Sequence, residues 1–116
     1  MTNYAHGHHA ETVAARYLQN LGYKIYALNW KHRRAEIDIV AGSPESGEPV
    51  FVEVKYRVNL HQGSGLDYIT PRKLQQMYFA ARLWTAQRGY GGGYRLAAIE
   101  VAGPAYDVAM FVPDIA

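Results

Sequence analysis

Phe51-Val52-Glu53-Val54-Lys55-Tyr56-Arg57 is the stretch on which the reading of this chain turns. Apolar and charged residues alternate in it with the period of a β-strand. Val52 and Val54 therefore enter the core, while Glu53 and Lys55 share the opposite face, roughly 6.5 to 7 Å apart along the backbone. Upstream, Glu36-Ile37-Asp38-Ile39-Val40 repeats the alternation and points Asp38 away from Ile37 and Ile39. Each segment is expected to be a strand with one apolar face. Between them Gly42, Ser43, Pro44, Ser46, Gly47 and Pro49 supply turn formers, so a loose antiparallel hairpin is the simplest connection. That hairpin brings Asp38 beside Glu53 and gathers Asp38, Glu53 and Lys55 on one surface.

Outward from this hairpin, Val13, Ala14, Tyr17, Leu18 and Leu21 recur at spacings of three and four and predict an amphipathic helix over 11–21, ended by Gly22. The aromatic and branched run over 23–30 predicts a strand. Thr70 followed by Pro71 marks a helix N-terminus, and Leu74, Met77, Tyr78, Ala81, Leu83 and Trp84 carry the apolar stripe of a helix over 71–88. The glycine-rich run over 89–93 stops that helix. Strands are expected over 94–101 and 108–112. The order α-β-β-β-α-β-β gives an α/β fold, a mixed sheet packed against helices.

The chain has 116 residues, the size of one domain, and an apolar and charged content typical of packed globular proteins. It contains no cysteine, so disulfides, thiolate nucleophiles and cysteine-bound zinc are excluded. The N-terminal residues lack the cationic and apolar parts of a targeting segment, and no run approaches the ~20 apolar residues of a membrane span. A cytoplasmic protein without membrane contact is the expectation.

Two carboxylates held close together repel, and a divalent cation relieves the repulsion; magnesium is commonly held by one or two carboxylates with water and phosphate oxygens. Asp38 and Glu53 suit such an ion, with manganese as its substitute. Lys55 is placed to stabilise developing negative charge or to help deprotonate a water during attack on a phosphodiester. By spacing alone, however, Glu53 and Lys55 also read as a solvated same-face ion pair on an edge strand.

The combination distinguishes the two readings. Glu11-x-x-Ala14-x-x-Tyr17-Leu18, Gly22-Tyr23, Asn29-Trp30, Glu36-Ile37-Asp38, the Phe51 to Arg57 run and Thr70-Pro71-Arg72-Lys73-Leu74 together resemble the YraN family of bacterial proteins. That family is similar to the PD-(D/E)XK nucleases and the archaeal Holliday-junction resolvases. The resemblance implies a restriction-endonuclease-like fold, metal ligation by Asp38 and Glu53, a catalytic role for Lys55, and Glu11 completing the acidic cluster as a further catalytic and metal-binding residue. Three positions depart from the family pattern. Ala35 and Ala10 stand where glycine usually precedes the acids, and Arg95-Leu96-Ala97 lacks an acid that often follows Arg-Phe.

Lys31, Arg33 and Arg34, just before the acidic strand, and Arg57, Arg72 and Lys73 beyond it are the candidate phosphate contacts, the last two at a helix start whose free N–H groups favour an anion. Tyr23, Tyr26 and Tyr56 are read as packing residues rather than base-stacking ones. His6, His8 and His9 are read as an incidental cluster at a frayed terminus, and His61 is left outside the catalytic set. The leading expectation is a magnesium-dependent nuclease-like protein acting on structured or branched DNA. Its alternatives are a noncatalytic nucleic-acid-binding module and a protein-interaction scaffold. A homodimer would supply a second active site for cutting both strands of a duplex.

Overall fold

The computed structural model describes residues 3–59 and 65–116, with side chains from His6 onward. His61 and the rest of 60–64 lie outside the described residues. The elements are α1 (Asn3–Asn20), β1 (Lys24–His32), β2 (Ala35–Gly42), β3 (Pro49–Arg57), α2 (Pro71–Gln87), β4 (Arg95–Ala102) and β5 (Asp107–Val112). They match the predicted order. The five strands form one sheet in the order β1-β2-β3-β4-β5. Neighbours run antiparallel except β3 and β4, which are parallel with α2 as the crossover between them.

Helix α1 ends at Gly22, whose φ of 97° no side chain would favour. The Gly22 N–H bonds to the Gln19 carbonyl at 2.9 Å and the Tyr23 N–H to that of Leu18 at 3.0 Å, which closes the last turn. Leu21, expected in the apolar stripe, lies just past the helix and is exposed. At its other end α1 begins at Asn3, well before the predicted start. The His6 ring stacks on Tyr56, with centroids 5.0 Å apart, and its Nδ1 lies 2.5 Å from the Tyr106 hydroxyl; His9 packs on Tyr106. These contacts reach far along the chain, so local sequence carries no sign of them, and they tie down the segment that reads as frayed.

The sheet is covered on both faces, which corrects the expectation of one apolar face per strand. Ala10, Ala14 and Leu18 of α1 pack on Ile39, Val50, Val52, Ala97 and Ile99. Met77, Ala81 and Trp84 of α2 pack on Ile37, Val40, Phe51 and Leu96 on the other side. Ile37 and Ile39 consequently belong to different cores, although strict alternation would put them on one face. The irregularity lies at Asp38, where the paired register of β2 with β3, Gly42↔Pro49 through Ile39↔Val52, ends.

Phe51 is fully buried at the centre of the α2-side core, edge-on to both Trp84 and Tyr94. Phe51→Ala is expected to destabilise the fold by ~3–5 kcal/mol, measured as a lowered urea midpoint with little change in slope.

Candidate active site

Where the β2–β3 ladder ends, a side chain takes over the role of a backbone acceptor. The Val54 N–H donates to Asp38 Oδ2 at 2.8 Å. Asp38 and Glu53 lie just beyond the last paired residues, Ile39↔Val52, and the two carboxyls interact directly through charge and a side-chain hydrogen bond. On the other side of β2, Leu28↔Ile39 and Trp30↔Ile37 flank Asn29, which therefore stands across from Asp38. Asn29 has a φ of 50°, a left-handed conformation that asparagine tolerates better than most residues.

Glu11 approaches from α1 and Glu53 from β3. Burial pushes the Glu53 carboxyl up to about 8, reinforced by the negative charge of Asp38, and the hydrogen bond and charge of Lys73 only partly offset this. Burial likewise raises Glu11 to about 7, again with Asp38 adding to it, while Asn29 and Lys31 pull the other way. Asp38 is thus the charge common to both. Glu11 Oε2 is buried and has no hydrogen-bond partner among the described residues. The Lys73 ammonium lies 2.7 Å from Glu53 Oε2. Lys73 is held there by its own helix start, where its backbone N–H donates to the Thr70 side chain at 3.1 Å.

Lys55 follows Glu53 on the same strand face and is half-buried, and among the described residues its ammonium has no ion pair or hydrogen bond. Lys31, Arg33, Arg34 and Arg72 are exposed. Arg57 differs from this basic set. Its guanidinium is buried and donates to Glu100 and Asp67, so it braces β3 against β4 and the loop before α2 instead of facing solvent.

Two contributors escaped the sequence reading. Asn29 was visible as a motif residue, and an asparagine inside a strand is itself a sign of unusual backbone. Tyr68 had no such sign. Its ring lies under Arg57, 5.6 Å from the guanidinium carbon, and its hydroxyl is buried without a hydrogen-bond partner among the described residues. Burial, then the charges of Glu100, Glu53 and Asp38, hold its phenol well above the usual range.

The departures from the family pattern are accommodated. Ala10 and Ala35 are buried, and neither has a positive φ, so their methyl groups fill core space in ordinary helix and strand backbone. Ala97 is buried beneath α1, and the acid that β4 does carry, Glu100, is engaged by Arg57.

A mixed five-stranded open sheet between two helices, in the order helix, three strands, helix, two strands, defines the class: an α/β protein. Residues 10–109 match the family UPF0102, described as an uncharacterised protein family. The chain belongs to this family, which is the YraN family. It is 37% identical over 87 residues to a UPF0102 protein of Mycobacterium sp. (strain KMS), covering 75% of this chain and 64% of the mycobacterial protein. It is 41% identical over 83 residues to a UPF0102 protein of Yersinia pseudotuberculosis serotype O:1b (strain IP 31758), covering 72% of this chain and 69% of that one. Among the described residues no helix is long and apolar enough to cross a membrane.

Because Glu11 and Glu53 keep their protons to higher pH when folded than when unfolded, their contribution to stability is full below about pH 4.5 and is lost as pH rises through about 7 to 8. Thermal unfolding of the metal-free chain should therefore show a melting temperature that falls across this window, with a shallower fall in Glu53→Gln. Arg57→Ala should cost ~3–5 kcal/mol by denaturant titration, because it leaves Glu100 as an unpaired buried charge.

Proposed function

We propose that this protein is a cytoplasmic, magnesium-dependent phosphodiesterase acting on structured or branched DNA, with Asp38, Glu53 and Glu11 as the acidic ligands and Lys55 as the catalytic lysine. The observation that carries the reading is the burial of Glu11 and Glu53 beside Asp38: burial first, and the charge of Asp38 second, raise the two carboxyls to about 7 and about 8, and Glu11 Oε2 is buried without a partner among the described residues. An all-oxygen donor set under mutual repulsion fits a hard divalent cation. Among the described residues no group of three or more histidines, aspartates or glutamates is arranged to hold a metal ion, so the reading needs these carboxylates to draw closer around the ion, with water and substrate phosphate in its other positions.

The bound ion would supply Lewis-acid polarisation of the phosphate and a lowered pKa for its attacking water. The chain's own residues do the rest. The Val54 N–H fixes Asp38 in orientation, and Lys73 holds Glu53 in place until a cation or phosphate displaces it. Lys55, uncommitted among the described residues, offers its ammonium to charge developing on the phosphate. Lys31, Arg33, Arg34 and Arg72 give salt-sensitive attraction to the backbone. A two-fold homodimer would place two such sites on the two strands of a duplex.

One observation favours a second reading. The Lys73 ammonium, 2.7 Å from Glu53, already neutralises a carboxylate that a metal would need, which suits a noncatalytic nucleic-acid-binding module. Cleavage of single-stranded, duplex, flap and four-way-junction DNAs with magnesium or manganese separates the two. The nuclease reading expects metal-dependent cutting that falls by about a hundredfold or more in Asp38→Ala, Glu53→Ala and Lys55→Ala. Salt-sensitive binding without turnover on any substrate would establish the module instead.

A further inference from the structure

Lys73 belongs to two places at once. Its ammonium reaches Glu53, and its stem lines a cavity of about 410 Å³ with Arg34 and Arg72, between the β1–β2 turn and the start of α2. A second cavity of about 370 Å³ shares Arg34 and Phe79 with the first and adds Arg33, His32 and Leu83. The two share Arg34 and Phe79 and so adjoin as one trough along the outer side of α2, which Lys73 links to Glu53.

The chemistry of this trough changes along its length. In the half lined by Lys73 it is basic, with Arg34, Arg72 and Lys73 against a single acid, Glu36. Farther out it is largely apolar, and its wall is Phe79, which is 50% exposed, whereas on the same helix Tyr78 is partly buried and Trp84 buried. Phe79 is one of several large apolar side chains left exposed, and it lines both halves of the trough beside the arginines. Arg33 supports the same point independently. It occupies a two-residue turn between His32 and Ala35 with a φ of 56°, where glycine or asparagine would be less strained. Both arginines of this turn line the trough.

Cations that follow a channel, with an exposed aromatic face among them, are the two elements of sequence-independent single-strand binding: phosphates meet the cations and an unstacked base lies on the ring. Bases within a duplex are stacked on each other and offer no free face to such a ring. We infer that this trough holds the single-stranded flank of a branched nucleic acid, with phosphates on Arg33, Arg34 and Arg72 and one base stacked on Phe79. The inference rests on the proposed nuclease or binding reading and specifies its substrate as a junction between duplex and single strand.

Fluorescence anisotropy of the full chain tests it with three labelled DNAs: a duplex bearing an oligothymidine overhang, the same duplex with an abasic overhang, and the blunt duplex. The wild type should bind the oligothymidine overhang about tenfold more tightly than the abasic one. Phe79→Ala should bring the two together and leave the blunt duplex unaffected, and Phe79→Tyr should keep the preference. Circular dichroism of Phe79→Ala, which removes an exposed ring, should match the wild type. Equal affinity of the wild type for base-bearing and abasic overhangs, or equal loss in Phe79→Ala on overhang and blunt duplex, overturns the stacking site while the nucleic-acid reading stands. Absence of binding to all three DNAs overturns both.

Discussion

The hydrogen bond from the Val54 N–H to Asp38 Oδ2 is the constraint on which the candidate site depends. It satisfies a strand donor where β2 and β3 cease to pair, and in doing so fixes a carboxylate at the point of divergence. Moving β2 by one residue would send Asp38 to the wrong face and Ile37 into the wrong core. The same point is bracketed by the left-handed Asn29 on β1 and by Glu53 on β3, so three neighbouring strands converge on one small volume.

That volume is electrostatically costly. Glu11 and Glu53 are both drawn out of water and both face Asp38, which explains why their proton affinities rise together. The fold sustains this because the apolar surroundings are secure: α1 closes one side of the sheet and α2 the other, and Arg57 locks Glu100 behind the site. A packed frame holds charged groups in a geometry that they would not adopt by themselves.

Helix α2 joins the frame to the surface chemistry. Its Met77, Ala81 and Trp84 face the core, its first turn carries Lys73 to Glu53, and its outer side presents Phe79 to the trough. Thr70 and Pro71 at its start therefore set the position of a site residue as well as the limits of a helix.

Much of this was determined by the sequence. Alternation in the 50–56 segment, the turn formers after Gly42, the glycine at 22 and the Thr70-Pro71 pair specify local backbone, and local backbone decides element order and the antiparallel pairing of β2 with β3. The packing role of the tyrosines was legible too: Tyr56 stacks with Tyr106, Tyr23 meets Phe111 edge-on, and Tyr26 gives its hydroxyl hydrogen to the Gly47 carbonyl. Only the tertiary structure decided the remainder. Arg57 reads as one more surface cation until Glu100 and Asp67 close on it, Lys73 as a phosphate contact until α2 lays it on Glu53, and Tyr68 and Phe79 as ordinary aromatics. The start of α1 at Asn3 depends on Tyr56 and Tyr106, and the transfer of Ile37 to the α2 side depends on the break at Asp38. Periodicity reports what a residue prefers within its own turn or strand. Which charge meets which, and which face is covered twice, depends on contacts between residues far apart in the chain, and no local pattern contains them.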